Sequence, residues 1–232
     1  MPIDNYDGDT FVAFLDISGF KELMRDEKRA WKALDRLYEY GYEILRNQNN
    51  GCRVEGIFVS DSGVLFVRRN NRITPKISDG LMSLLMILKR INEGMRGSDF
   101  MLTTSIAYGE FRYQERIEFG GIEKNPIYGN AYVSALLDNE NGKPRIQPGQ
   151  CRIVEKNLPS EIARSIEQSQ NNHIFRMIKR REGDNRHYYY YWMVDHSHEV
   201  ERFEQNYKDA YTLKYAGMLR ALKGGDHGRH IR

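Results

Sequence analysis

The chain has 232 residues, 40% of them hydrophobic and 29% charged, and a formal net charge of +3. Those proportions exclude a disordered or fibrous protein, and the length suits one domain with a sizeable core. So slight a charge, carried mainly by Lys179, Arg180, Arg181 and residues 223–232, is not the basic face of a nucleic-acid binder.

Cys52 and Cys151 are isolated, with no CxxC spacing, which argues against a disulfide framework or a zinc site and for a reducing compartment. The N-terminus, MPIDNYDGDT, is too polar and acidic for a signal peptide. The most apolar stretch, residues 81–88, is broken by Ser83 and falls far short of the roughly 20 residues of a membrane span. The expectation is a soluble, cytoplasmic protein with neither membrane nor nucleic acid as partner.

In chain order, residues 11–15 (FVAFL) predict a buried strand ending in Asp16. Residues 21–46 predict one or two helices, with Trp31, Leu34, Leu37, Tyr38, Tyr42 and Leu45 as an apolar face and Asn49-Asn50-Gly51 as the stop. VEGIFVS and GVLFVRR, joined at Asp61-Ser62, predict an antiparallel hairpin with an acidic tip. A helix over 77–95, a strand over 101–111 and a turn into a helix over 126–138 follow. Beyond them come strand 151–155, helix 160–169, two strands in HIFRMIKRR and HYYYYWMV, and a closing helix over 200–222. Met82, Met86 and Met95 are read as core. The β-α-α-β-β-α-β-α order up to residue 140 is that of an α+β, ferredoxin-like palm, a mostly antiparallel sheet with helices on one face. Residues 1–222 read as a single domain and 223–232 as a flexible basic tail.

Asp16 ends a strand and Asp61 sits at a hairpin tip that pairs beside it, so the two carboxylates converge on one edge. Two carboxylates that cannot neutralise each other need cations between them, and hard divalent metals suit oxygen donors. A two-metal site serves in-line displacement at phosphorus. The tight turn Ile17, Ser18, Gly19, Phe20, Lys21 offers backbone N–H groups to phosphate, and Lys21 a point charge. Phe14, two residues before Asp16, shares its face of the strand. Taken singly, each Asp has a plainer reading as a helix cap or a turn residue.

These residues resemble a family. FLDISGF is similar to the D-I-x-G-F motif of class III adenylate and guanylate cyclase catalytic domains, and VSDSGVLF to the hairpin with the second metal-binding Asp. SIAYGEF and YGNAYVSALL are similar to the family's fourth strand and its G-x-x-V-N-x-A helix. The resemblance covers roughly residues 9–140. It implies that Asp16, the Ile17 carbonyl and Asp61 bind two Mn²⁺ or Mg²⁺ ions, and that residues 17–20 cradle the β- and γ-phosphates, with Lys21 in place of a usual Thr. It also implies a homodimer, because the family's sites form between two domains.

Three departures narrow the expectation. Ile57 and Pro126 stand where purine cyclases read the base with hydrogen-bonding side chains, and Val133 and Leu137 stand where the transition-state Asn and Arg belong. The last two, four residues apart, otherwise read as core packing. Lys21, Arg112, Lys143 and Arg145 are the candidate substitutes for the missing cation. The combination resembles most the stand-alone pyrimidine cyclases of bacterial Pycsar antiphage systems, whose cyclic UMP or cyclic CMP activates a separate effector protein. UTP is expected over CTP, with Tyr38 and Tyr42 as candidate base contacts. A non-catalytic cyclase-like module is the alternative; a diguanylate-cyclase palm lacks its G-G-[DE]-[DE]-F hairpin.

Overall fold

The structure is a computed structural model that describes residues 4–48, 52–68, 76–114, 116–117, 123–124, 126–168, 172–194, 196, 199–200 and 202. The expected stop at residues 49–51, most of the closing helix and the basic tail lie outside the described residues.

Strand β1 (Tyr6–Ile17) leads through a short helix α1 (Phe20–Leu23) into α2 (Glu27–Arg46). The hairpin β2 (Arg53–Val59) and β3 (Ser62–Arg68) follows, then α3 (Ile77–Gly97) and β4 (Leu102–Tyr113). Three two-residue strands come next, β5 (Arg116–Ile117), β6 (Glu123–Lys124) and β7 (Ile127–Tyr128), and then α4 (Asn130–Asn141). Strand β8 (Cys151–Val154), helix α5 (Ser160–Glu167), a 3-10 turn (Phe175–Met177), β9 (Ile178–Arg181) and β10 (Asp184–Tyr190) complete the order. The predicted strand HIFRMIKRR is thus split, its first part closing as the 3-10 turn.

The strands lie in the order β2-β3-β1-β4-β8-β10-β9, with β7 also on β4. Pairing is antiparallel except between β4 and β8. The first four positions are the ferredoxin-like palm expected from the sequence. Strand β1 is central because it alternates two apolar sets. Phe11, Ala13, Leu15 and Ile17 join the larger core, with Leu37 of α2, Leu84 of α3 and Ile162 of α5. Val12 and Phe14 point the other way, into a smaller core with Phe66, Phe111 and Ala131 and Ala135 of α4. The α+β palm therefore has α2, α3 and α5 over one face, whereas α4 lies on the opposite one, against β1 and β4.

Helix α4 also reverses a local expectation. Val133 and Leu137 are 46% and 52% exposed, while Ala131 and Ala135 are fully buried. The small residues let the helix approach the sheet closely, which turns the larger ones outward. On α2 the buried stripe is Ala30, Ala33, Leu37, Gly41 and Ile44, so Trp31, 69% exposed, leaves the predicted face. Met95 is core, Met82 packs at its edge, and Met86 is exposed.

Phe58 of β2 ties α2 to the hairpin. A Cβ on Gly41 would come within 2.2 Å of the Phe58 ring and one on Gly63 within 2.7 Å, so both positions must be bare for the ring to seat. Tyr38 and Tyr42 pack on the same ring, with centroids 6.0 and 5.1 Å away. No helix among the described residues is long and apolar enough to cross a membrane.

Candidate active site

The end of β1 is held on both sides. Asp16 pairs with Ser62 of β3 and Thr103 of β4. The Ile17 amide donates to the Asp61 carbonyl at 2.9 Å and the Ser18 amide to that of Met101 at 2.8 Å. The chain then turns through Gly19, whose φ of 73° lies in the left-handed region that favours glycine, and enters α1. The Ile17 and Ser18 amides are therefore engaged, and among the described residues the amides of Gly19, Phe20 and Lys21 are not.

The Ser62 hydroxyl donates to Asp16 Oδ1 at 3.0 Å. Burial, then the charge of Asp61 and more weakly that of Glu140, push the Asp16 carboxyl up to about 6, against the opposing Ser62 hydrogen bond. Among the described residues no cation offsets those causes. The donor chemistry of the pair fits a divalent ion. Two carboxylates and the Ile17 carbonyl match hard-metal preferences and leave positions for water and phosphate oxygens, as Mg²⁺ sites do. Among the described residues no group of three or more His, Cys, Asp or Glu side chains gathers to hold a metal by itself.

A cleft of about 470 Å³ opens beside Asp16, lined on one side by Phe14, Asp16, Ser18, Gly19, Ser62 and Thr103. Its far wall is the end of α4, Asn139 and Glu140, with Arg145, Ile146, Gln147 and Pro148 beyond. Phe14, Asp16, Ser18 and Gly19 are among the residues that the sequence singles out, whereas Ser62, Thr103 and most of the far wall are not. Ser62 and Thr103 lie on strands paired beside Asp16, and residues 145–148 follow α4 in a segment with no periodicity. Only Arg145 carried a signal, as a cation near the altered helix.

The side chains of the other predicted residues do not line the cleft. Asp61 acts on Asp16 from the hairpin turn without lining the cleft, and the Ile17 and Phe20 side chains are in the larger core. Lys21 is exposed and outside the cleft lining. Tyr38 and Tyr42 rest on Phe58, on the sheet face opposite Phe14. Arg112 pairs with Asp7 and Glu110, far along β4.

Behind the far wall is a buried polar network. Arg152, fully buried, donates from Nε to Asp138 Oδ2 at 2.7 Å and from Nη2 to Asp138 Oδ1 at 2.9 Å. The Ser105 hydroxyl donates to Asp138, and His187 bridges Asp138 and Asp184 at 2.8 Å from each. Burial pushes the Asp138 carboxyl up, but hydrogen bonds from His187, Arg152 and Ser105 hold it below its ordinary value.

No protein-family model and no curated protein sequence matches the chain. Solved structures do. The adenylyl cyclase CyaB from P. aeruginosa aligns over 81% of this chain and 95% of its own, with a TM-score of 0.55 and 14% identity. The guanylate cyclase domain of RhGC from Catenaria anguillulae, in complex with GTP, aligns over 81% and 97%, with a TM-score of 0.55 and 13% identity. The catalytic core of a rhodopsin-guanylyl cyclase with converted specificity, in complex with ATPalphaS, aligns over 81% and 97%, with a TM-score of 0.52 and 10% identity. The chain has the fold of adenylyl and guanylyl cyclase domains.

Proposed function

We propose that this protein is a nucleotidyl cyclase, converting a nucleoside triphosphate into a 3′,5′-cyclic nucleotide and pyrophosphate. The observation that carries the reading is the Asp16–Asp61 pair, two acids at one sheet edge, beside a polar cleft, with burial and mutual repulsion raising the Asp16 carboxyl. The carboxylates of Asp16 and Asp61 and the carbonyl of Ile17 would hold two Mn²⁺ or Mg²⁺ ions. Such ions acidify a bound hydroxyl and offset charge on attacking and leaving oxygens.

The chain's own groups do the positioning. The Ser62 hydroxyl orients Asp16, and the unengaged amides after Gly19, with the Lys21 charge nearby, suit the terminal phosphates. Phe14 forms an apolar wall of the cleft. The ribose 3′-oxygen bonds to the α-phosphorus, the bond from that phosphorus to the β-bridging oxygen breaks, and pyrophosphate leaves with the electron pair. The hydroxyl proton passes to solvent.

UTP is the proposed substrate, with CTP second. Ile57 and Pro126 present no donor or acceptor side chain to a purine edge. Each buried polar group left unpaired costs about 1–3 kcal/mol. Two such losses disfavour ATP and GTP by roughly a hundredfold. Tyr38 and Tyr42, remote from the cleft of their own chain, would read a base only from a second copy, so the active form is a homodimer. By resemblance, the cyclic pyrimidine would act in the cytoplasm on a separate effector protein in antiphage defence.

Incubating the pure protein with equimolar ATP, GTP, CTP and UTP and Mn²⁺, with products identified by mass spectrometry, tests the reading. Cyclic UMP is expected to dominate; predominance of cyclic AMP or cyclic GMP refutes the pyrimidine assignment, and no cyclic product refutes the cyclase. A fully active monomer in sedimentation at micromolar concentration refutes the shared site. The exposed Val133 and Leu137, which offer no hydrogen bond to a transition state, favour the second reading, a nucleotide-binding module without turnover.

A further inference from the structure

By the resemblance Leu137 stands where a transition-state Arg belongs, and the far wall of the cleft carries a guanidinium of its own. Arg145 lines the cleft with Asp16, Ser18 and Gly19, and it is exposed. Among the described residues no carboxylate is within ion-pair distance of its guanidinium, although Asp16 and Glu140 line the same cleft. A cation kept apart from two acids across an open polar space leaves room for an anion between them.

The backbone that carries Arg145 is anchored on both sides. On one, the buried Arg152 donates from Nη1 to the Pro144 carbonyl at 2.6 Å and from Nη2 to that of Asp138 at 2.8 Å. On the other, the Gln147 amide donates to Gln150 Oε1 at 2.8 Å, and Trp192 Nε1 donates to the Gly149 carbonyl at 2.7 Å. Ile146 is buried beside it, and Gln147 Nε2 donates to the carbonyl of Arg145 itself at 3.2 Å. The side chain projects from a strap fixed before any ligand arrives.

Two further atoms at the cleft point to a polar ligand. Ser18 Oγ and Asn139 Nδ2 are two of only four buried side-chain polar atoms without a hydrogen-bond partner among the described residues. Both residues line the cleft, so a modest side-chain rotation toward a phosphate would satisfy each.

We propose that Arg145 is the phosphate-binding cation of this site, its guanidinium clamping the terminal phosphates of the nucleotide from the strap that follows α4. The planar fork suits two phosphate oxygens at once. Charge that builds on the departing pyrophosphate strengthens the contact as the bond to the α-phosphorus breaks. The assignment rests on the cyclase reading for its substrate, but its test does not need turnover.

Calorimetric binding of tripolyphosphate, with a chelator and again with Mn²⁺, is measured for the wild type, Arg145→Ala, Arg145→Lys and Arg112→Ala. The expected result is at least tenfold weaker binding for Arg145→Ala under both conditions, an intermediate value for Arg145→Lys, whose ammonium is a single point charge, and the wild-type value for Arg112→Ala. With UTP and Mn²⁺, kcat of Arg145→Ala falls about a hundredfold, the effect typical of losing one donor to developing charge. Absence of tripolyphosphate binding by the wild type, or binding by Arg145→Ala within twofold of it, overturns the proposal. Arg145-dependent binding in a protein that makes no cyclic nucleotide supports the clamp and defeats the cyclase reading. Cyclic nucleotide formation that Arg145→Ala leaves unchanged does the reverse.

Discussion

Asp16 and Asp138 are both largely buried and both accept a serine hydroxyl, yet the fold treats them oppositely. Asp138 is surrounded by Arg152, His187 and Ser105, which overcome the cost of its burial. Asp16 has one hydroxyl and faces the charge of Asp61. A carboxylate whose hydrogen-bonding needs are met by its own chain serves structure. One left short, at the mouth of a cleft, is available to a ligand, and that contrast is what separates scaffold from site here.

Removing the acids proposed to hold metal should have the largest effect. Asp61→Asn is expected to cut cyclic-nucleotide formation by about a hundredfold or more, a loss in the range seen even for groups behind metal ligands, with little change in urea midpoint. Activity persisting above a few percent would show that Asp61 holds no metal. The scaffold acid should behave inversely. Arg152→Met strands Asp138 without its guanidinium and should cost about 3–5 kcal/mol in urea unfolding, as breaking a buried ion pair does. A loss under about 1 kcal/mol, within ordinary surface effects, would mean that His187 and Ser105 suffice for Asp138.

The pH dependence of the metal-free protein sharpens the contrast. Asp16 has a folded value of about 6, above its ordinary 3.8. Its contribution to stability is therefore full below the unfolded value and is lost as pH rises through about 6. Asp138 and Asp184 are lowered, so theirs is full above the unfolded value and is lost as pH falls through the folded one. Urea midpoints across pH 4 to 8 should decline through about 6 in the wild type and stay level in Asp16→Asn. An identical decline in both proteins would assign it to another group. The smallest effect is on the melting temperature at pH 8 without metal, where Asp16→Asn should gain a few degrees and lose the further rise that Mn²⁺ gives the wild type.

One side of the cleft was legible in the sequence because its parts are local. A five-residue apolar run stopping at Asp16, a Gly turn and an acidic hairpin tip each follow from neighbouring residues, and antiparallel pairing brings the tip to the strand end. The palm was legible for the same reason, its elements carrying strong period-2 or helical patterns. The far wall was not, because Asn139, Glu140 and Arg145 meet Asp16 only through the crossing of α4 over β1 and β4. The spacing of Val133 and Leu137 read as packing, but Ala131 and Ala135 have the same spacing, and only close approach to the sheet decides which pair turns inward. Ile17 and Phe20 send their side chains into the larger core, so only their backbone groups, the parts the resemblance singles out, are left to face a ligand.

The seat of Phe58 between Gly41 and Gly63 has a consequence for inheritance. A helical glycine gives up about 1 kcal/mol of propensity relative to alanine, so Gly41 would be replaced readily if space allowed. Space does not allow it while position 58 is aromatic. Three residues drawn from α2, β2 and β3 thus form one unit of descent: a side chain can appear at 41 or 63 only in a lineage where 58 has already become small. Because Gly63 is two positions from Asp61, drift in the middle of a distant helix is answerable to the spacing of the edge that carries Asp16 and Asp61.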